Sequence, residues 1–462
     1  MDFKSSSVPK RHASVALRHR ISAGAANTLA MFLVAMSLSS CSHPQPVKEP
    51  VTLSYFRLGW AQPDELPTAV SLSHRFTQET GIQLRSIPVP ETTLDQLEAS
   101  RKLLESGDLS PDVLGLDLIW SGVLEDDLMD LRPALAAEIA LVEPELLPSY
   151  TVDGRVVAIP YSVQVGVLEY RTDLLRAYGF DHPPKTWDEL ERMALKIQTG
   201  ERAKGVKDFW GYVWQGEDGE ALTCNALEWQ TAEGGGKIIE DNRTVSVNNR
   251  AAIRSWQRAK HWIGWISPPS VVAYREIDTI NVFDAGKAAF NRVWGGAPIT
   301  RKGLSRQLHW RSSLPVGKTG YTNIPSGARG WAATLGGSGL AVSRHSVHPQ
   351  EGIELVRFLI RAQIQSSEEE ERASANQPEV HDRPSLPDSP DRSEISSQQR
   401  SGVVSRPSSV TGRTYEQVAR AYIGAVHSVL TGQRGAAEAA AELEKQLIKI
   451  TGFATGPPKT AD

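Results

Sequence analysis

Val51-Thr52-Leu53-Ser54-Tyr55-Phe56, Ile82-Gln83-Leu84 and Asp112-Val113-Leu114-Gly115-Leu116-Asp117-Leu118 are three short apolar runs, and the stretches between them are spaced as helices. Val70, Leu72 and Phe76 make an amphipathic segment that Gly81 closes as a C′ residue. Thr93 opens the second segment with Gln96 three residues on, a capping-box pattern, and Leu94, Leu97 and Leu104 fall on one face. An order of strand, helix, strand, helix, strand predicts an α/β domain with a largely parallel sheet.

The same patterns continue outward. Val156-Val157-Ala158-Ile159-Pro160 and Gly166-Val167-Leu168-Glu169-Tyr170 read as two strands flanking a short crossover. Thr186-Trp187-Asp188-Glu189 is another capping box, with Leu190, Met193, Ala194 and Ile197 at helical period behind it. Helical patterns recur around Ile253 and Trp256, from Val282 to Phe290, and from Ile353 to Ile360. Two more close the chain, one through Val418, Tyr422 and Val426, the other through Leu443 and Leu447. Between roughly Gln365 and Ser409 the composition turns to Glu, Ser, Pro, Asp and Arg, as in a long functional or disordered loop, with a short exposed helix expected near Glu368 to Ala375. No internal repeat is visible.

The N-terminus carries a separate signal. Lys4, Lys10, Arg11, Arg18 and Arg20 precede the apolar run Leu29-Ala30-Met31-Phe32-Leu33-Val34-Ala35-Met36, which is far short of the roughly 20 residues a membrane span needs. A charged leader and a short apolar run are the parts of a signal peptide. The run ends in Leu38-Ser39-Ser40-Cys41, which resembles the bacterial lipobox, in which the cysteine is lipidated and becomes the mature N-terminus. Residues 42–50 form a Pro-rich tether suited to a spacer. The only other cysteine is Cys224, so no intramolecular disulfide is expected once Cys41 carries lipid. Loss of the five leader cations and Asp2 takes the formal net charge from -4 to -8. An acidic chain without a basic tract is a poor candidate for nucleic acid.

Patterns of catalysis come close and fail. Gly317-Lys318-Thr319 resembles the tail of a P-loop, but Ser312 stands where its leading glycine belongs. Gly336-Gly337-Ser338-Gly339-Leu340 has Leu340 where a nucleophile elbow needs glycine. His345 and His348 have no adjacent acid or cysteine to complete a metal site. Neither a cofactor motif nor a catalytic constellation stands out, so binding without turnover is expected.

What does stand out is tryptophan, twelve in all. Trp60 follows the first predicted strand with Asp64 nearby, and Trp120 follows the third with Asp117. In open α/β sheets ligands bind beyond the carboxyl ends of strands. An aromatic face and a carboxylate together suit a sugar, whose C–H face lies on the ring and whose hydroxyls donate to the acid. Core packing competes with that role at Trp60, Trp120 and Trp294, and is preferred for Trp187, Trp210, Trp256 and Trp262.

Several longer stretches then carry a resemblance. Ser110-Pro111-Asp112-Val113 through Trp120, Tyr170-Arg171-Thr172-Asp173-Leu174-Leu175 and Pro183-Pro184-Lys185-Thr186-Trp187-Asp188-Glu189-Leu190 are among them, as are Phe209 to Gly216 and Phe283 to Trp294. With Ala333-Thr334-Leu335-Gly336-Gly337 they resemble the family 1 extracellular solute-binding proteins of sugar ABC transporters, in the trehalose/maltose-binding branch. That resemblance implies a two-lobed α/β periplasmic-binding-protein fold of type II, its discontinuous lobes joined by hinge strands. The first lobe is expected at 51–161 plus 344–385, the second at 162–335 plus 405–462, with 386–404 a flexible segment. It also implies a monomer outside the cytoplasm, anchored by lipid to the membrane, that passes a carbohydrate to ABC permease subunits.

By the same resemblance Asp64 and Asp117 accept sugar hydroxyls, Trp294 is a stacking ring of the second lobe, and Gly336 and Gly337 form a backbone turn against the ligand. The chain departs from the branch at Ser162 and Gln164, where that branch has an aromatic and an acid, and at Ser338, where it has a tryptophan. Tyr161 is a candidate to replace part of the lost aromatic surface, and Gln164 remains a candidate ligand residue. A sensing or scavenging receptor without an importer, a surface carbohydrate-active enzyme, or a binder of a polyamine or metal chelate would share much of this pattern.

Overall fold

The computed structural model describes residues 50–56, 67–90, 93–107, 110–297, 318–375 and 402–459. Its first five elements are β1 (Thr52–Phe56), α1 (Pro67–Thr80), β2 (Gln83–Ile87), α2 (Thr93–Glu105) and β3 (Val113–Asp117). β1 pairs in parallel with both β2 and β3, as the opening stretch predicts. Phe76, Leu97 and Leu104, from the two predicted helical faces, are buried beneath the sheet strands. The Gln96 amide donates to the Pro90 carbonyl at 2.8 Å.

The chain continues with α3 (Arg132–Ile139), the hairpin β4 (Thr151–Val152) and β5 (Arg155–Val156), then the long β6 (Ile159–Arg171). There follow α4 (Thr172–Ala177), α5 (Trp187–Ala203), β7 (Trp210–Val213), α6 (Glu220–Ala232), β8 (Thr244–Val245), α7 (Arg250–Trp262) and α8 (Glu276–Asp284). Next come β9 (Ala288–Ala297), β10 (Thr319–Asn323), β11 (Ala333–Val342), α9 (Pro349–Ala375) and β12 (Val403–Val404). The last described elements are α10 (Ser408–Thr411), α11 (Tyr415–Leu430), α12 (Ala436–Thr451) and β13 (Ala454–Thr455).

One sheet organises the molecule, in the order β2-β1-β3-β11-β6-β9-β7, with β10 also on β6 and β12 on β11. β11 is antiparallel to β3 on one side and to β6 on the other, so these two long strands stand between the β1–β3 end and the β7–β9 end. Helices α1, α3 and α9 pack around the first end, and α5 to α8, α11 and α12 around the second. Two α/β lobes joined by strands that pass between them are the result.

Three local expectations need correction. The two strands foreseen on either side of a crossover run together: Ile159 and Pro160 of the first and all of the second belong to β6, while Val156 lies on β5. Along β6 Ser162 and Gln164 stay partly exposed while Val163 and Val165 are buried. That alternation is the period of a half-covered strand, which a search for all-apolar runs passes over. The helix foreseen from Val282 to Phe290 ends at Asp284, and Phe290 lies on β9. Gly286 has φ 71°, a left-handed backbone that turns the chain from helix to strand. The short helix foreseen at Glu368 to Ala375 is the end of α9, which runs unbroken from Pro349.

The tryptophan count is explained mainly by packing. Trp187, Trp214, Trp229 and Trp262 gather with Tyr212 in one cluster, ring centroids 5.0 to 6.5 Å apart and mostly edge to face. Such aromatic pairs contribute roughly 0.5 to 1.5 kcal/mol each beyond the area they bury. Trp256 is buried against Tyr422 at 5.9 Å. Trp210 is half-buried instead, with the Arg202 guanidinium 4.3 Å from its ring centre.

Candidate functional site

The middle of the sheet carries a polar row. Asp117 on β3 pairs with Ser338 on β11, and Ser338 pairs with Ser162 on β6. Residues directly opposite on neighbouring strands project to the same face. The Ser162 and Ser338 hydroxyls are 2.9 Å apart, and the Ser338 N–H donates to Ser162 Oγ at 3.2 Å. Two residues along, Gly336 pairs with Gln164, and Gln164 with Gly296 of β9. Trp294, also on β9, lies opposite Gly166. By the period of two along a strand, Asp117, Ser162, Gln164, Gly336, Ser338 and Trp294 share one face.

The two glycines do different work. A Cβ on Gly336 would lie 2.8 Å from Trp294 Cζ3, so the missing side chain is the space the indole occupies. Gly337 has φ 126°, and a Cβ there would meet the Ser162 carbonyl oxygen at 2.2 Å. Its glycine is a backbone necessity where β11 passes against β6. One residue further, the register slips between Ser338 and Gly339, which pair with Ser162 and Pro160. Tyr161 is therefore the extra residue of a β-bulge, a device that re-aims a side chain. It is half-buried, and burial pushes its hydroxyl up to about 12, so it stays a neutral donor.

On the same side of the sheet lies a charged layer that sequence reasoning missed. Glu220 and Glu228, eight residues apart on the buried helix α6, each meet an arginine. Arg406, only 4% exposed, lies 3.0 Å from Glu220, 3.4 Å from Asp117 Oδ1, and within 3.5 Å of the Leu335 carbonyl. Burial pushes the Glu220 carboxyl up, against the pull of Arg406, and the Tyr415 hydroxyl donates to it. Arg292 Nη2 and Nε donate to Glu228 at 2.6 and 3.2 Å, and the Thr334 N–H donates to the same carboxylate at 3.1 Å. Two carboxylates on a helix otherwise made of buried, mostly apolar residues were the available signal. Their partners lie 64 and 186 residues away, beyond what spacing can connect.

Not every predicted site residue joins this face. Trp120 is fully buried in the hydrophobic core. The 3-10 turn Leu118–Trp120 that leaves β3 carries all three of its side chains inward, so the ring has no face for a ligand. The Asp117 side chain is 14% exposed and is tied by Arg406 and by the Ile119 N–H at 3.3 Å, where it caps that turn. Trp60, Asp64 and the lipobox Cys41 lie outside the described residues. Cys224 is a buried core thiol. Among the described residues no cluster of three or more His, Cys, Asp or Glu could hold a metal, and no helix is long and apolar enough to cross a membrane. The concavities against Ser73, His74 and Gln83, and between α11 and α12, share no residue with the polar row.

A carboxylate, two hydroxyls, an amide and an indole on one sheet face, with neither nucleophile nor base poised against the other, can hold a hydroxyl-rich ligand. Residues 62–366 match the family described as bacterial extracellular solute-binding protein. A probable ABC transporter-binding protein of Deinococcus radiodurans is 38% identical over 384 residues, 82% of this chain and 89% of its own. Among solved structures, maltose-bound MalE3 of T. maritima is 26% identical, covering 87% of this chain and all of its own, with a TM-score of 0.71. A tagatose-bound ABC transporter solute-binding protein of Thermotoga lettingae TMO, 21% identical over 87% of this chain and all of its own, has the same fold at a TM-score of 0.70. These relatives are binding proteins and not enzymes, and this chain belongs to the bacterial extracellular solute-binding proteins.

Proposed function

We propose that the chain captures a carbohydrate outside the cytoplasm and hands it to the permease subunits of an ABC importer. The observation that carries this reading is the shared face of Asp117, Ser162, Gln164, Ser338 and Trp294, hydrogen-bonding groups beside one aromatic ring. The maltose held by the T. maritima protein and the transporter named for the D. radiodurans relative support it. Hydroxyls and an amide stand where the trehalose/maltose branch has two rings and an acid. The preferred ligand is therefore a disaccharide or small oligosaccharide bound more by hydrogen bonds than by stacking. Tyr161, Gly336 and Gly337 complete the site, with Trp60 and Asp64 of the first lobe as further candidates. The lobes divide near residues 161 and 344, and the protein acts as a monomer held at the membrane by lipid on Cys41.

A thermal-shift screen with maltose, trehalose, tagatose and glucose tests the reading, because a ligand that binds only the folded state raises its melting temperature. At a hundred times Kd the stabilisation is about 2.7 kcal/mol, readily seen. At least one sugar is expected to raise the melting temperature in a concentration-dependent way. No response to any of them at tens of millimolar would refute a sugar site.

A further inference from the structure

Trp294 does not stand on apolar packing alone. The Arg292 guanidinium carbon lies 4.0 Å from the centre of its ring, a stacked cation–π distance. Arg292 is itself fully buried, and its Nε and Nη2 are both engaged by Glu228, which is 1% exposed. Among the described residues, Nη1 has no acceptor. The guanidinium is thus held by one carboxylate with its central carbon over the indole. Gly166, the residue opposite Trp294, makes room for this: a Cβ there would lie 2.1 Å from Glu228 Oε1 and 2.7 Å from Arg292 Nη2. Gly336 leaves the matching gap at the benzo end of the ring.

We propose that the buried Arg292–Glu228 pair is the positioning device of the site: it fixes the plane of Trp294, so that both residues act on sugar affinity through that ring. The proposal rests on the reading of Trp294 as a ligand-facing surface. Stability alone gives little reason for such a pair, since replacing both members of a buried ion pair by uncharged residues of similar volume is often neutral or stabilising. A core position serving only to fill space would be filled as well by a methionine. What methionine lacks is a charged group held at cation–π distance from an aromatic ring. The Thr334 N–H bond to Glu228 extends the same support to β11, the strand that carries Gly336.

Fluorine NMR of protein labelled with 5-fluorotryptophan reads the ring directly. The resonance absent from Trp294→Phe is that of Trp294. In Arg292→Met/Glu228→Gln this resonance is expected to shift and broaden while those of the core tryptophans stay in place. The tightest binder among maltose, trehalose and tagatose should lose roughly three- to thirtyfold in affinity, the range spanned by a cation–π contact. Arg292→Lys keeps a charge opposite Glu228 and loses the plane, so it should show the same resonance change and fail to restore affinity. It also carries the test if the double variant does not fold. An unmoved Trp294 resonance in these variants would overturn the proposal, whether or not any of the three sugars binds. If Trp294→Ala leaves sugar affinity unchanged, the ligand-facing reading of the ring falls instead. If Trp294→Ala weakens binding but the pair variants match the wild type, only the positioning role falls.

Discussion

Alanine at Gly336 and alanine at Gly337 should separate the site from the fold within two adjacent residues. At Gly336 the new methyl would sit 2.8 Å from Trp294 Cζ3, against an ordinary carbon contact of roughly 3.5 to 4 Å. The ring must therefore give by about 1 Å, and the Arg292 guanidinium 4.0 Å from its centre limits where it can go. Overpacking of this kind typically costs about 1 to 3 kcal/mol. Because the yielding partner is a half-buried side chain at the proposed ligand surface, a fall in sugar affinity of roughly tenfold is expected, with a small change in melting temperature. At Gly337 the obstacle is backbone: a φ of 126° and a Ser162 carbonyl oxygen 2.2 Å from the new methyl. Strained φ/ψ alone costs about 1 to 3 kcal/mol, and the clash adds to it, so Gly337→Ala should melt well below the wild type. Melting without ligand and calorimetry with the sugar found in the screen would be measured on both variants. If Gly336→Ala binds and melts as the wild type does, the indole is not wedged against that glycine, and Trp294 and Gly336 do not meet on one face.

Trp294→Ala should weaken sugar binding at least tenfold with modest loss of stability; a destabilisation of about 3 to 5 kcal/mol with unchanged binding by the folded fraction would instead mark a core residue. Asp117→Asn removes a charge from both the ligand and the buried Arg406, so calorimetry should show weaker binding and a melting scan a lower midpoint, and a variant that binds normally would remove Asp117 from the site. Glu169 is buried, and burial raises its carboxyl from 4.5 to about 7 even though Tyr321 and Asn291 donate to it. The folded state thus holds a proton that the unfolded state releases, and stability should fall as pH rises from about 4.5 to about 7, by up to about 3 kcal/mol; Glu169→Gln should flatten that decline, and parallel pH–melting curves would refute it. Cys41→Ala should leave the protein unprocessed or free of the membrane fraction, and a wild type already soluble and cleaved elsewhere would end the lipid-anchor proposal.

The first lobe is legible in the sequence because its strands are short, apolar and separated by amphipathic helices, and because period and capping are local properties. Capping is as legible in the second lobe, where the Thr186 hydroxyl accepts from the Glu189 N–H at 3.2 Å, as the motif foretells. The limits appear where a contact is distant or a burden is shared. Trp120 follows a predicted strand and Trp294 lies on a strand whose first residues read as helix, yet one is core and the other half-exposed, since burial depends on what packs above them. Asp117, Trp294, Gly336, Gly337, Tyr161 and Gln164 are separate positions along the chain, and strand register, which the chain order does not display, is what sets them on or beside one face. Arg292 and Arg406 carry no signal of their own, because an isolated charge in a sequence looks like surface until its partner is found.

The place of the polar row has a mechanical meaning. Ser162, Gln164, Gly336 and Ser338 sit on β6 and β11, the strands through which the two ends of the sheet are joined. Points near an axis of rotation travel little, whatever angle the bodies on either side turn through. If the two ends of the sheet turn about these strands, groups on them keep their mutual spacing, whereas groups far out on either lobe sweep toward and away from a ligand between them. Changes to the row should then alter how well the open form first grips a sugar, and changes at the periphery should alter how long the closed form keeps it. A kinetic dissection of the two sets of variants would see the first in the association step and the second in release.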